Sequence, residues 1–306
     1  MIKNIVVAIV ATLLSVGAAN AQNCNVTLNQ LTNGTTADAS QVMANFNGLL
    51  TCINNLGNLQ GYLGGLTMSN DPTSPNTVID TTAGVAASDD SSSVLMKLAS
   101  FTKNANVAWT VGTGNGCLDT GSSLAAATWY HLFVIQRTDT GVVDLLCSTS
   151  ASSPAFPANY TKKRRIGSFQ TDGSAHILAF SQNGDEFLRS IPVTDVGVSN
   201  LGTTPTLFTL SGVPAGVKVV ARLRVFAFSA TNPVGLLVSS PDEASTAQNS
   251  PLGNQTMQLN IANVGFSTTI DVRVSSSAQI RAVASSANTN LDIATYGWVD
   301  TRGRFN

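Results

Sequence analysis

Hydrophobic and polar positions alternate with a period of two along much of the chain, and this pattern predicts β-strands. The alternation is clearest where Met257, Leu259 and Ile261 stand between polar residues. It indicates strands with one buried face and one solvent-facing side. About eight candidate strands fall within residues 191–306, which suits a C-terminal jelly-roll-like β-sandwich: Val193–Val198, Thr206–Leu210, Val217–Phe228, Gly235–Ser239, Thr256–Ile261, Thr269–Ser275, Gln279–Ala284 and Ile293–Val299.

Residues 65–190 are predicted to form a second β-rich domain around a β-hairpin. Two apolar runs, Trp129–Arg137 and Val142–Ser148, flank a short turn that ends in glycine. The segment Val94–Thr102 is ambiguous between a helix and a strand. The glycine-dense run at 112–116 fits no nucleotide-binding motif, so we interpret it as a turn. The basic run Lys162–Arg165 is interpreted as a solvated turn, with contact to phosphate or sulfated sugar as the alternative.

One segment, residues 22–64, has a helical period instead. Its apolar residues recur at alternating steps of four and three, which is the spacing of a coiled-coil seam. Two interpretations stay open: an oligomerisation seam between chains, or a helix that packs on its own β-domain. A glycine-rich stretch at 57–65 then ends the helix. The seam residues are Val42, Phe46, Leu49, Ile53 and Leu56.

Residues 1–21 have the pattern of a signal peptide. Lys3 precedes the apolar run Ile5–Val16, and Ala19–Ala21 has the small-residue form of a cleavage site. We therefore expect the protein to be exported, to the periplasm, the cell surface or the medium, or to be virion-associated. No other stretch is long enough for a spanning helix, so no membrane span is expected after cleavage.

The four cysteines are expected to form disulfides, because an exported chain meets an oxidising compartment. Four cysteines allow several connectivities. We favour Cys24–Cys52 and Cys117–Cys147, because each pair then lies within one predicted module. No Cys/His cluster has the spacing of a zinc site.

The composition limits the classes of partner. Charged residues make up only 11% of the chain and the net charge is −1, so no overall field favours nucleic acid. No nucleic-acid partner is predicted. The hydrophobic content of 43% is sufficient for substantial cores.

No catalytic, cofactor or metal site is predicted, and we do not expect an enzyme. His131 and His176 lack partners at catalytic spacing. The adjacent carboxylates Asp89–Asp90 and Asp185–Glu186 would point to opposite faces of a strand. A dyad of distant carboxylates stays open. Tyr296 and Trp298 are candidates either for a sugar-stacking platform or for burial.

Several motifs together resemble a module of bacteriophage and prophage tail-fibre-like proteins. The resemblance covers about residues 33–189, and Asn183–Leu188 is similar to the end of the module. The segment Gly34–Ala39, with Val42, Asn45 and Phe46, is similar to its helical entry. The other motifs that carry the resemblance are Gly112–Gly121, Tyr130–Arg137, Thr140–Asp144, Ser148–Ser150, Pro157–Tyr160 and Arg164–Ser168.

The resemblance implies a tail-fibre-like structural and adhesive protein that binds a ligand on a host cell surface, such as a glycan or a receptor. It also implies a homotrimer and contacts with other virion or spike proteins. Two alternatives remain: a secreted, polysaccharide-degrading tailspike-like enzyme, and a purely architectural virion or spike subunit. No internal repeat of the length expected for a tailspike β-helix is visible.

Overall fold

The computed structural model describes residues 28–30, 39–55, 60–231, 233–247 and 254–304. These residues contain one helix and nineteen strands, so the chain is mainly β, as the sequence predicts. The chain divides into a unit up to Asn58, which holds the helix, and a β-unit from Leu59 onward. The predicted signal peptide lies outside the described residues. No helix in the described ranges is long and apolar enough to cross a bilayer.

Helix α1 spans Ala39–Asn55 and carries the predicted seam on one face. Phe46 is 63% exposed and Leu49 is 41% exposed, whereas Val42 is half-buried. The side chain of Ile53 and the whole of Leu56 lie outside the described residues.

A short segment before the helix folds back along it. The backbone N–H of Asn29 donates to Asn45 Oδ1 at 2.6 Å, and Asn45 Nδ2 donates to the Asn29 carbonyl at 2.9 Å. The Asn45 amide therefore pairs with the backbone of its own chain. The predicted Cys24–Cys52 bridge falls on Cys24 and on the Cys52 side chain, which lie outside the described residues.

The first half of the β-unit consists of two sheets. A three-stranded sheet has the order β1-β4-β5, and a seven-stranded sheet has the order β10-β8-β9-β7-β6-β3-β2. The segment Val94–Thr102 forms β5 and the start of β6, so it is extended. The strands are β1 (Leu63–Gly65), β2 (Met68–Asn70), β3 (Val78–Thr81), β4 (Gly84–Ala87), β5 (Leu95–Leu98), β6 (Phe101–Ala108), β7 (Gly116–Leu118), β8 (Trp129–Arg137), β9 (Val143–Ser148) and β10 (Tyr160–Gln170).

The predicted hairpin is confirmed, because β8 and β9 pair antiparallel from Gln136↔Val143 to His131↔Ser148. β8 is apolar from Leu132 to Ile135 because both of its faces are covered there. Leu132 and Val134 face the main core, whereas Phe133 and Ile135 face a smaller cluster.

Cys117 and Cys147 form one of the two disulfides expected from the sequence, with their Sγ atoms 2.02 Å apart. They lie on the neighbouring parallel strands β7 and β9, and both are fully buried. The bridge joins two segments that are 30 residues apart in the sequence.

Replacing both Cys117 and Cys147 by Ala is expected to lower the free energy of unfolding by roughly 3–4 kcal/mol, because a bridge of this loop length restricts the unfolded chain. Denaturant unfolding of the double variant measures the loss. Wild type unfolded under reducing conditions should lose a similar amount. A loss below about 1 kcal/mol would contradict the expectation.

The second half of the β-unit is a two-sheet sandwich. Its five-stranded sheet has the order β11-β12-β19-β14-β17, and its four-stranded sheet has the order β13-β18-β15-β16. From β12 to β19 the chain alternates between the sheets as in a jelly roll, except that β15 and β16 are paired within the four-stranded sheet, so the predicted sandwich is confirmed. The strands are β11 (Phe180–Asn183), β12 (Glu186–Leu201), β13 (Thr206–Thr209), β14 (Val220–Ser229), β15 (Val234–Ser239), β16 (Met257–Leu259), β17 (Val264–Arg273), β18 (Gln279–Ala284) and β19 (Thr289–Val299).

The domain boundary expected at 190/191 falls inside the long strand β12. The start of β12 pairs with β11, and β12 pairs with β19 along most of its length. Aromatic side chains join the two halves: Trp298 stacks on Phe187 at 5.1 Å and meets Trp129 edge-on at 5.3 Å between ring centroids. The two β-regions therefore share one continuous core.

Candidate ligand-binding cleft

A cleft of about 730 Å³ lies where the seven-stranded sheet meets the jelly roll. Its walls come from β10, from the end of β19, and from the segments at 151–152, 216–220 and 273–276. Among the described residues, six cationic side chains but only two carboxylates line it. The cations are Lys163, Arg164, Arg165, Lys218, Arg273 and Arg302, and the carboxylates are Asp89 and Asp300.

The basic run reaches this cleft because it lies in strand β10, so its interpretation as a solvated turn is wrong. β10 pairs with β8 and has register shifts at Tyr160/Lys162 and at Arg165/Gly167. Arg164 and Arg165 are both buried, at 4% and 9% exposure. Burial of a cation is favoured by anionic partners from elsewhere in the chain, which a local sequence pattern does not reveal.

Three of the four cations in the run have such partners. Lys162 pairs with Asp90, and Lys163 pairs with Asp89. Arg165 binds Asp300 through two hydrogen bonds of 2.6 and 2.7 Å, in the bidentate geometry that guanidinium and carboxylate groups favour.

Asp300 is the anionic centre of the cleft floor. Burial alone would raise its pKa, but the Arg165 guanidinium and the Arg302 backbone N–H hold the pKa below its usual range. Arg302 extends the network to Asp185 at 3.1 Å. The carboxylate therefore stays ionised and fixes the guanidinium of Arg165.

Arg164 differs from its neighbours because it has no carboxylate partner among the described residues. Its one hydrogen bond there runs from Nη2 to the Gly61 carbonyl at 3.5 Å, the outer limit of such a bond. Its Nε is buried and has no partner. Desolvation lowers the pKa of the guanidinium. The charge of Asp89, which forms its ion pair with Lys163, opposes this decrease, whereas the nearby cations Arg165 and Arg302 add to it.

Charge compensation at the rim is also incomplete. Lys218 and Arg273 share Asp242, at 2.8 and 3.6 Å. When Asp242, Asp185 and the second partner of Asp185, Arg304, are added to the lining residues, four carboxylates face seven cations among the described residues. An excess of three positive charges remains in a protein whose net charge is −1.

His131 and Ser168 form a buried pair beside the cleft floor. His131 Nδ1 lies 2.8 Å from Ser168 Oγ, which also accepts a hydrogen bond from Arg165 at 3.2 Å. The arrangement is not a catalytic triad, because Asp300 binds Arg165 rather than the imidazole. His131 and Ser168 are each at most 1% exposed, so a substrate has no access to them. His176 lies apart from the cleft lining, 3.6 Å from Asp172.

Stability is expected to decrease as the pH falls from about 6.5 to 4, because folding keeps His131 neutral. Desolvation and the neighbouring Arg165 lower its pKa to about 4. The unfolded imidazole takes up a proton near pH 6.5, so the stabilisation present above that pH is lost below it, by about 3 kcal/mol. His131→Asn, which keeps an acceptor near Ser168, should flatten this decrease in pH-dependent unfolding. An unchanged slope would contradict the assignment.

The carboxylate pairs noted in the sequence are engaged in ion pairs. Asp89 and Asp90 bind the basic run, Asp185 binds Arg302, and Glu186 binds Arg222 at 2.6 Å. In the described ranges no three His, Cys, Asp or Glu residues are grouped as metal ligands.

The aromatic residues near the C-terminus do not form a joint stacking platform. Trp298 is buried at 2% exposure, whereas Tyr296 lies half-buried under Arg224, whose guanidinium carbon is 5.1 Å from the ring centroid. A shallower hollow of about 590 Å³ lies on this sheet, lined by residues that include Arg224, Phe226 and Asp292.

The sequence alone indicated only part of the residues that line the cleft. The basic run indicated contact with phosphate or sulfated sugar as the less favoured interpretation. Lys218, Arg273 and Arg302 are isolated cations in separate segments, and no local signal connects them with Arg164.

Comparison with models of protein families finds no match to this sequence, and no curated protein matches it.

Proposed function

We propose that this chain is a tail-fibre-like structural and adhesive protein that attaches to a ligand on a cell surface, with a glycan as the favoured ligand. The cleft at the junction of the two β-regions is its binding site. The observation that carries the proposal is Arg164, a buried cation that lines an open cleft and forms no ion pair with a carboxylate in the described part of the chain. Desolvating such a cation costs free energy, and a purely architectural subunit gains nothing from that cost.

Adhesion is favoured over catalysis by the chemistry of the cleft. The two carboxylates that line it, Asp89 and Asp300, are both held in ion pairs with cations. A glycosidase needs one protonated carboxyl group and a second carboxylate placed across the bond. Neither lining carboxylate is therefore available as a general acid.

The proposal includes an exported or virion-associated homotrimer, joined through helix α1 and in contact with other virion or spike proteins. Several copies of a site with modest affinity would then bind repeated ligands on one surface at the same time. Linked sites raise the overall avidity by roughly 10²–10⁴ without any new contact.

The test is binding of the full chain to an array of surface glycans, beside an assay of sugar release. Ser152→Trp is the blocking variant, because Ser152 is exposed and lines the cleft, and the change fills it without altering its charge. We expect wild type to bind and Ser152→Trp to lose binding. Arg137→Gln, on the hairpin turn and outside the cleft lining, is the control that keeps binding.

Each alternative has its own outcome. Release of sugars by wild type would replace adhesion with hydrolysis. The absence of binding to any glycan and to intact cells would favour the architectural subunit. Binding that Ser152→Trp leaves intact would move the site away from the cleft.

A further inference from the structure

Resting on the proposed function, we infer that the cleft selects an anionic group of the ligand, a sulfate, phosphate or carboxylate carried by a glycan, and that Arg164 binds this group directly. The proposal names both the chemical class of the ligand and its anchoring residue.

The first step of the argument is the state of Arg164. A buried guanidinium without a counter-ion costs far more than one with a bound anion. Arg165, the next residue, shows how this chain compensates such a charge, because it has its own buried carboxylate, Asp300. Arg164 lacks that carboxylate among the described residues, and it lines the open cleft instead. An oxyanion from outside supplies the missing partner.

The second step is the geometry of the wall beside Arg164. Gly61 has a positive φ of +89°, and a Cβ at this position would lie 2.2 Å from the Arg304 carbonyl. Only glycine allows the backbone to pass this close, and the passage brings the Gly61 carbonyl to the edge of the guanidinium. That carbonyl is a weak partner at 3.5 Å, so the donors of Arg164 remain available to a stronger acceptor.

The third step is the field of the surrounding cations. Lys218 is partly exposed at the rim, and Arg302 has an Nη1 atom that is buried without a partner. Arg164, Lys218 and Arg302 lie on three different segments of the chain, and all three line the same cleft. A planar guanidinium fork recognises oxyanions in a bidentate manner, and the neighbouring cations add attraction that salt screens.

The experiment compares a sulfated glycan, a carboxylated glycan and the neutral glycan of the same backbone, with the full chain and a titration of binding. Wild type is expected to bind at least one acidic form more tightly than the neutral form by roughly 10–100-fold, as charged hydrogen bonds allow. Raising the salt concentration should weaken this preference. Equal binding of all three forms would overturn the inference.

Arg164→Gln is expected to abolish the preference for the acidic form while the melting temperature stays the same or rises, because the variant removes a buried charge that forms no ion pair among the described residues. A merely structural arginine would show the opposite result, a lower melting temperature with the preference retained. Lys218→Gln, at the rim of the cleft, should reduce the preference for the acidic form by a smaller factor. If Arg164→Gln does not fold, Lys218→Gln is the variant that tests the inference. Arg137→Gln is the matched control with unchanged preference.

The outcomes separate this inference from the proposed function. Binding of neutral and acidic glycans with equal affinity, blocked by Ser152→Trp, would keep the adhesive function and overturn the anion site. If wild type binds no glycan, inorganic sulfate and phosphate serve as probes. An Arg164-dependent rise in melting temperature with these ions would keep the anion site and overturn the glycan-binding function. No response to either ion would overturn both.

Discussion

Replacing Lys103 by Met is expected to lower the free energy of unfolding by roughly 3–5 kcal/mol, because it leaves Asp144 as an uncompensated buried charge. Lys103 and Asp144 are both 0% exposed, and Lys103 Nζ lies 2.7 Å from Asp144 Oδ1. The ammonium group also donates to the carbonyls of Thr110 and Gly116, at 2.7 and 3.2 Å.

The effect should extend to the glycine-dense turn at 112–116. Asp144 Oδ2 accepts a hydrogen bond from the Gly112 N–H at 2.6 Å, at the start of the turn. Lys103 donates to one carbonyl before the turn and to one at its end. The ammonium group also lies 5.5 Å from the Trp109 ring centroid, close enough for a cation–π contribution. One ion pair therefore connects strands β6 and β9 through the turn between β6 and β7.

Denaturant unfolding of three variants tests this pair. Lys103→Met should be strongly destabilised, and the double variant Lys103→Met with Asp144→Leu should recover part of the loss because no charge is then stranded. Lys97→Met, at an exposed position of β5, is the matched control, with a change within about 0.5 kcal/mol. A Lys103→Met protein as stable as this control would contradict the prediction.

The second large effect concerns assembly: the mature protein is expected to be a homotrimer that Leu49→Asp converts to a monomer. Phe46 and Leu49 lie on one face of α1 and are largely exposed in the single chain, at 63% and 41%. A helix of 17 residues is marginal alone in water, so its apolar face requires a covering surface. Three copies, rather than two, is what the tail-fibre resemblance implies.

Light scattering at micromolar concentration measures the state of assembly. Ala44→Asp places the same charge on the opposite face of α1, where Ala44 is exposed, and should leave the trimer intact. Leu49→Asp should also reduce avidity for a glycan-coated surface by roughly 10²–10⁴ while each site keeps its affinity. A monomeric mass for wild type would leave the helix to pack on its own β-domain and would remove the avidity argument.

The Asn29–Asn45 contact changes one detail of this expectation. Asn45 lies beside the seam, and a polar residue in that place often sets the register between helices. Here both hydrogen bonds of the amide serve the backbone of the preceding segment. Register in the trimer is therefore expected to depend on the apolar residues rather than on Asn45.

Strand positions were predictable because alternation is a local property of the backbone. Side chains of a strand point to opposite faces in turn, so a one-sided core leaves a period of two in the sequence. Each of the eight strands predicted after residue 190 has a counterpart between β12 and β19. The β8–β9 hairpin was predictable for a similar reason, since its turn and both of its runs are contiguous.

For two other segments, the structure differs from what the sequence pattern indicated. Four consecutive cations suggested a solvated turn, yet Lys162–Arg165 lie in β10 because Asp89, Asp90 and Asp300 compensate three of them. The boundary at 190/191 followed the end of the resemblance, whereas β12 continues through it because its pairing with β19 does not stop there.

What the sequence determined by itself is therefore the β class, the strands of the jelly roll, the hairpin and the 117–147 cysteine pair, all of which follow from local periodicity or from module membership. What only the tertiary structure decided is the cleft and its charge balance. Arg165 and Asp300 are 135 residues apart, and Arg164 is distinctive only because no such carboxylate reaches it among the described residues. The pairing of distant charges depends on how sheets pack, and burial then makes an unpaired charge costly enough to mark a binding site.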